Sequence, residues 1–355
     1  MEGGKLLGQG TYGCVFTPPL LCNKSNYKVK KGEVGKITEA IDYVNEKRAY
    51  TVLNTVKGDY YVLLNPESEC TPKNFNEQVD KAVAQCKFIK EYDNSAIIHF
   101  TMPYGGVSIR KVYTTFGTTP PLSILSFTKH ILEGAVNLAL KGYVHYDIHQ
   151  DNILLMEKTF KPRLIDFGMS FSSHSISETV LNERWKVYSP DYSPEPPEIT
   201  CITGIRNGRE IKNIVTEIYM KKPVLQEAEI SIALSRKNQV TQFIKFWKSS
   251  KVVLEKDWVK FFKLYWTGFD AWGIGVVLLS ILRMNYMFSL SQDNMKETNQ
   301  VKNVIRKLLY MNPRSRFDCL EALSELDPTN QILMSDAGKS WLKERSTIRK
   351  SFVTQ

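Results

Sequence analysis

The stretch His145-Tyr146-Asp147-Ile148-His149-Gln150-Asp151-Asn152, followed fourteen residues after Asn152 by Asp166-Phe167-Gly168, decides how this chain is read. An acid, an amide five residues later and a second acid before a flexible glycine are the groups a metal-dependent phosphoryl transfer must gather in one place. Such chemistry wants a base or positioner for the attacking hydroxyl, which fits Asp147. It also wants hard oxygen ligands for Mg2+, which fit Asn152 and Asp166. Asp and Asn are ordinary turn residues too, and Asp-Phe-Gly can simply close a strand, so the rest of the chain has to decide.

Near the N-terminus, Leu6-Leu7-Gly8-Gln9-Gly10-Thr11-Tyr12-Gly13-Cys14-Val15-Phe16 places Gly8, Gly10 and Gly13 between apolar runs. Glycines let a hairpin turn press its backbone onto phosphates where a side chain would collide. A dinucleotide-binding turn would need a helix directly after the glycines and an acid about twenty residues on. Here Cys14-Val15-Phe16 continues as a strand and Pro18-Pro19 forbids a helix, so a β-hairpin is predicted. Next comes the short run Glu33-Val34-Gly35-Lys36-Ile37, then a helical pattern from about Glu39 to Leu53 with Ile41, Val44, Tyr50 and Leu53 on one stripe. A strand Lys can hold a nucleotide's phosphates only if an acid fixes its ammonium. Lys36 is the candidate and Glu46, ten residues on, its partner, with Lys28, Lys30 and Lys31 as rival lysines.

With these parts in this order the chain resembles the eukaryotic-type protein kinase superfamily over roughly residues 3 to 325. Pro196-Pro197-Glu198 looks like the APE motif, and Asp270-Ala271-Trp272-Gly273-Ile274-Gly275 is similar to the DxWxxG opening of the buried central helix. Asn312-Pro313-Arg314-Ser315-Arg316 matches the segment whose Arg pairs with the APE glutamate, so Arg316 is expected to meet Glu198. The resemblance implies an α+β, bilobal fold with a β-rich N-lobe and a mostly helical C-lobe sharing a cleft. The N-lobe is expected over residues 1–103, the C-lobe over 104–325 and a basic tail over 326–355.

The resemblance also implies ATP and Mg2+ as cofactors and a protein hydroxyl as acceptor. Gly8, Gly10 and Gly13 would cover the phosphates, and Lys36 held by Glu46 would position them. Asn152 and Asp166 would hold Mg2+, and Asp147 would accept the proton. In Ile97 to Gly106, Met102 would guard the back of the adenine pocket, while Pro103 and Gly105 offer backbone groups to the base. Val15, Val34 and Leu154 would wall the adenine, or simply pack a core, since the two look alike in sequence.

Departures from the family pattern point to control. Tyr146 stands where many kinases carry the Arg that grips an activation-loop phosphate, so activity independent of such phosphorylation is expected. His149 replaces the usual catalytic-loop Lys, as in haspin-like and small-molecule kinases, and an imidazole is charged only in part near neutral pH. The segment before Pro196 lacks both the usual Ser/Thr-kinase Thr and the tyrosine-kinase Trp signature, leaving Ser/Thr specificity as the commoner case.

About seventy residues separate Glu198 from Asp270, where most kinases need far fewer. The surplus, about 199–269, predicts a helical insertion with helices near Val224 to Ser235 and Val240 to Phe262. It is read either as a partner-docking or substrate-selecting subdomain or as lobe padding. A catalytically silent pseudokinase or scaffold and a small-molecule kinase are the rival functions. The first would have lost chemistry whose residues are present here, and the second usually lacks a Glu198–Arg316 pair.

Composition is consistent with one two-lobed protein, since 43% of the residues are hydrophobic and no repeat or low-complexity linker interrupts them. The longest apolar run, Gly273 to Leu282, is too short for a bilayer core of about 30 Å, and no secretory leader is expected. Six scattered cysteines without a CxxC or Cys/His cluster predict reduced thiols and an intracellular setting, with Cys14 either reactive or a half-buried spectator. A net charge of +10 is dispersed, which suits acidic protein substrates or ATP better than specific nucleic-acid binding. The opening Gly3 to Leu20, the Pro103-Tyr104-Gly105-Gly106 hinge and the long insertion resemble protein kinases of large nucleocytoplasmic DNA viruses. That resemblance implies a host-cytoplasmic or virion setting.

Overall fold

A computed structural model describes residues 4–10, 13–22, 27–72, 86–88, 97–109, 111–112, 123–287 and 295–353. The chain divides into two compact units, Met1–Gly106 with Ile165–Ser170, and Val107–Leu164 with Phe171–Gln355. A β-sheet N-lobe and a helical C-lobe are the architecture the sequence predicted.

The first unit is built on a five-stranded antiparallel sheet of order β1-β2-β3-β5-β4. Its strands are β1 (Lys5–Gly10), β2 (Gly13–Thr17), β3 (Glu33–Glu39), β4 (Asn65–Cys70) and β5 (Ile97–Pro103). The predicted hairpin is present, with Gly10 opposite Gly13, while Thr11 and Tyr12 of its turn, and Gly3, lie outside the described residues. A Cβ at Gly13 would stand 2.1 Å from the Ile37 carbonyl oxygen, so glycine is what lets β2 close on β3. Gly8 and Gly10 face open space, and the surface beside their backbone is left clear.

Helix α1 (Ala40–Leu53) starts directly after β3, as the short Lys36–Glu46 spacing requires. Its inward face corrects the predicted stripe: Ile41 and Val44 are exposed, and Asp42, Tyr43, Asn45, Glu46, Ala49 and Leu53 are buried. The apolar periodicity misleads because this helix faces charged partners. Asn45 donates to the Gly168 carbonyl at 2.8 Å and Glu46 meets a lysine.

Four of the six cysteines correct the expectation of reduced thiols. Cys14 is bonded to Cys86 and Cys22 to Cys70, pairs 72 and 48 residues apart in the sequence. Cys14 is therefore neither reactive nor half-buried, whereas Cys201 and Cys319 are free and buried.

In the second unit, β6 (Val107–Ser108), β8 (Ile153–Leu155) and β9 (Pro162–Leu164) form one small sheet, and β7 (Tyr143–Val144) pairs with β10 (Phe171–Ser172). Residues 145–152 run from the end of β7 to the start of β8, so both ends of this loop are anchored in β-structure. The main helices are α2 (Ile124–Leu140), α3 (Pro197–Arg206), α4 (Ile211–Lys221), α5 (Pro223–Ile232), α6 (Arg236–Ser249) and α7 (Trp258–Tyr265). After these come α8 (Thr267–Met287), α9 (Met295–Leu308), α10 (Cys319–Leu326) and α11 (Asp336–Val353).

Helix α8 is long and apolar enough over Thr267–Met284 to cross a membrane by composition, yet 67% of that stretch is buried in the protein. Trp272, Ile274 and Leu278 on it are completely buried, as befits a core helix. A Cβ at Gly273 would come within 2.6 Å of the Ile148 carbonyl oxygen, so this glycine admits the 145–152 loop against the helix.

The insertion holds more and shorter helices than predicted. Helix α4 has no counterpart in the sequence reading. The single helix expected over 240–262 is broken near Ser250 and again at Lys256, whose φ of 54° is left-handed, before Asp257 caps α7. Its aromatic residues pack inward, with the rings of Phe246, Phe261 and Tyr265 in mutual contact. The basic tail folds as α11, where Arg349 donates to the Arg316 carbonyl at 2.8 Å and Trp341 to Asp318 Oδ2 at 3.0 Å.

Candidate active site

The first unit gathers Lys36, Glu46 and Asp166. Lys36 lies on β3 opposite Phe100, and its buried ammonium donates to Glu46 Oε1 at 2.5 Å and Asp166 Oδ1 at 3.0 Å. The rival lysines Lys28, Lys30 and Lys31 are exposed ahead of the strand. Burial works against the Lys36 charge, but the Asp166 and Glu46 carboxylates outweigh it and hold the ammonium well above its usual pKa. Burial pushes Glu46 up to about 7, with Lys36 pulling the other way and Asp166 adding like-charge repulsion. Asp166 adopts a left-handed φ of 65°, which sets its carboxylate immediately before Phe167 and Gly168.

On the same unit Val34 is buried opposite Met102, Val15 and Met102 are half-buried, Pro103 is exposed and Gly105 is buried. The Tyr104 amide donates to the Gly32 carbonyl at 2.8 Å, tying the end of β5 to the turn before β3. Leu154, the other candidate wall residue, is half-buried on β8 in the second unit.

The second unit gathers Asp147, His149 and Asn152, and adds a residue the sequence reading missed. Asn152 Nδ2 donates to the Asp147 carbonyl at 2.9 Å and to Asp147 Oδ2 at 3.3 Å, so its amide oxygen is the atom left to offer a cation. His149 Nε2 lies 3.5 Å from Asp147 Oδ2. Lys186 Nζ lies 3.0 Å from Asp147 Oδ1, donates to the Tyr146 carbonyl at 3.0 Å and sits over the Tyr146 ring. Burial alone would raise the Asp147 pKa, but the His149 hydrogen bond and the Lys186 charge hold it well below the carboxylate range. Lys186 carries no motif signature, since it lies thirty-nine residues from Asp147 in a segment without fixed spacing.

The loop itself is held from α8: Asp270 accepts from the amides of His145 and Tyr146, each at 2.8 Å. Tyr146, with a left-handed φ of 67°, is buried among Phe171, Phe262 and Phe269. Two of those rings come from the insertion and its junction with α8. A tyrosine enclosed in this way, with Lys186 over its ring, offers no cation of its own to a phosphate.

The expected Glu198–Arg316 pair is present, completely buried and bidentate, with contacts of 2.6 and 2.8 Å. Arg316 spends its remaining donors on the carbonyls of Tyr310, Gly268 and Met311, so no buried charge is left unmatched. Next to it, residues 192–195 are fastened by the insertion. Lys222 Nζ donates to the carbonyls of Tyr192 at 2.6 Å and Glu195 at 3.2 Å, and the Val224 amide to Ser193 Oγ at 3.1 Å.

Within the first unit Asp166 keeps one carboxylate oxygen outside its Lys36 contact, and within the second Asn152 keeps its amide oxygen; each is a hard donor of the kind Mg2+ prefers. Each is oriented by a hydrogen bond or ion pair through its other polar atom.

The family description "Protein kinase domain" matches residues 1–352. The chain belongs to that family, whose members generally use ATP and Mg2+. It is 27% identical over 186 residues to a probable serine/threonine-protein kinase of Dictyostelium discoideum, covering 48% of this chain and 28% of that protein. It is 41% identical over 56 residues to a probable dual specificity protein kinase homolog of Encephalitozoon cuniculi, covering 16% of this chain and 14% of that protein. The matches thus span well under half of either relative.

Proposed function

We propose that this chain transfers the γ-phosphoryl group of ATP to Ser or Thr hydroxyls of protein substrates. The observation that carries this reading is the buried Lys36 ammonium between Glu46 at 2.5 Å and Asp166 at 3.0 Å. A buried lysine with two carboxylate partners is a device for fixing phosphates, and a silent scaffold has no use for its cost in desolvation.

In this mechanism Lys36, oriented by Glu46, positions the α and β phosphates, and the backbone around Gly8, Gly10 and Gly13 covers them. Val15, Val34, Met102 and Leu154 wall the adenine, and the backbone of Pro103 and Gly105 meets its edge. Asp166 and Asn152 would hold Mg2+, which would supply charge neutralisation at the phosphates. Asp147, kept ionised by its neighbours, orients the acceptor hydroxyl and takes its proton. His149 and Lys186 stand beside Asp147, the lysine bringing a positive charge to it. Positioning and charge neutralisation carry the rate.

The Glu198–Arg316 pair favours a protein acceptor over a metabolite, because it anchors the segment that in this family flanks the peptide. The Lys222 and Val224 bonds to residues 192–195 favour a substrate-selecting role for insertion 199–269 over padding. The enclosed Tyr146 favours activity without activation-loop phosphorylation. The sequence resemblance to viral kinases supports an intracellular setting, in a host cytoplasm or virion.

Labelled ATP and Mg2+ supplied with protein substrates and a metabolite panel, beside Asp147→Ala, separates the readings. Transfer to Ser or Thr that vanishes in the variant supports this one. Transfer to a metabolite alone indicates a small-molecule kinase, and absence of ATP binding indicates a scaffold.

A further inference from the structure

Cys22, Cys70 and His99 converge on one face of the N-terminal sheet. Cys22 follows β2, Cys70 ends β4, and His99 stands opposite Cys70 in the β4–β5 register. The imidazole is fully buried, with Nδ1 3.5 Å from Cys22 Sγ and 3.3 Å from Cys70 Sγ. Its other nitrogen has no hydrogen-bond partner among the described residues. That nitrogen occupies space a side chain at position 35 would need, since a Cβ there would come within 2.3 Å of it, so Gly35 is what admits the ring. Packing at Gly35 on one side and the two Nδ1–sulfur contacts on the other thus hold a nitrogen donor against two sulfurs.

We propose that reduction of the Cys22–Cys70 bond turns this cluster into a zinc site, with both Sγ atoms and His99 Nδ1 as ligands. Tetrahedral Zn2+ holds sulfur at about 2.3 Å and imidazole nitrogen at about 2.0–2.1 Å, which places nitrogen and sulfur ligands about 3.6 Å apart. The observed separations of 3.5 and 3.3 Å already approach that edge. Only the sulfurs have to part, to about 3.8 Å, which cysteine side-chain rotation supplies. Two thiolates and an imidazole select Zn2+ over Mg2+, whose hard oxygen preference is met elsewhere in the chain.

The chemistry balances with a dithiol as reductant. It gives two electrons and two protons to the Cys22–Cys70 bond and becomes a disulfide itself, and Zn2+ then displaces the two thiol protons to solvent. A cavity of about 300 Å3, lined by Cys22 and His99 together with Tyr27, Ser68 and Thr101, has room for a water as fourth ligand. Disulfide and zinc are then alternative locks at one position, each pinning the chain after β2 to β4. Only the zinc lock also engages β5, the strand that carries Met102 and Pro103.

The full chain, reduced with a phosphine under anaerobic conditions, mixed with Zn2+ and desalted, should retain one zinc per chain by native mass spectrometry. The unreduced protein and a Cys22→Ser/Cys70→Ser variant should retain none, and Cys14→Ser/Cys86→Ser, whose sulfurs face no histidine, should retain one. Co2+ in place of Zn2+ should give a thiolate charge-transfer band with tetrahedral ligand-field absorption. Should the Cys22→Ser/Cys70→Ser protein fail to fold by circular dichroism, the Co2+ spectrum of the wild-type protein decides. Lack of that band, lack of zinc uptake by the reduced protein, or equal uptake by a folded Cys22→Ser/Cys70→Ser variant overturns the proposal.

Discussion

Lys186 sets its ammonium 3.0 Å from Asp147 Oδ1, and so puts a full positive charge beside the residue proposed to receive the substrate proton. His149 Nε2 stands at the other carboxylate oxygen, 3.5 Å from Asp147 Oδ2. Lys186→Met should therefore lower kcat by about 10²-fold, the scale of losing one preorganised electrostatic contact. The KM for ATP should change little, and Lys186→Arg should recover part of the rate. Steady-state kinetics at saturating ATP check this, and an unchanged kcat would reduce Lys186 to a tether.

Glu46, pushed up to about 7 by burial and by Asp166, should titrate far above an exposed glutamate near 4.3. Its folded-state value exceeds the unfolded one, so protonation favours the fold. That contribution is fully present below about 4.3 and is lost as pH rises through about 7. Carbon NMR of the Glu46 carboxyl should show a midpoint near neutrality. Lys36→Met should move it higher still, because Lys36 is the group pulling it down. A midpoint in the ordinary range, or a downward shift in the variant, speaks against this account.

Glu198 and Arg316 should be stabilising only as a pair. Arg316→Met leaves a buried carboxylate alone and should cost about 3–5 kcal/mol in denaturant unfolding. A Glu198→Leu/Arg316→Met protein should lose less than the sum of the two single variants, since neither charge is then stranded. Additive losses would mean that the two side chains do not interact.

Tyr146, enclosed by Phe171, Phe262 and Phe269, leaves the 145–152 loop without the arginine that would read a phosphate. Recombinant protein stripped by a phosphatase should keep its turnover within about two-fold, a change of roughly 0.4 kcal/mol in barrier. Negligible turnover, restored only by phosphorylating the segment between Gly168 and Pro196, would contradict this.

The parts legible in the sequence are those where chemistry or backbone geometry dictates both residue type and spacing. Asp147 with Asn152, Asp166 before its glycine, the glycine hairpin and the Glu198–Arg316 pair belong here. Helix α1 shows the opposite case. Its buried face carries Asp42, Asn45 and Glu46, because the helix packs against charged partners, and apolar periodicity therefore pointed to Ile41 and Val44 on the wrong side. Lys186, Lys222 and the cysteine pairs were invisible for a different reason. Their partners are set by tertiary contacts 27 to 72 residues away, and no local rule fixes such distances. In the insertion, breaks at Ser250 and Lys256 lie within a continuous aromatic and basic pattern that reads as one helix.

The most direct test is transfer of labelled γ-phosphate from ATP to Ser and Thr of a protein substrate by wild-type chain and by Asp147→Asn at equal, saturating ATP and Mg2+. The account predicts that the variant still binds ATP while transfer falls by about 10²–10⁴-fold, the usual contribution of a positioned acid or base. Equal transfer by the two proteins, or none by a folded, ATP-bound wild type, would contradict it.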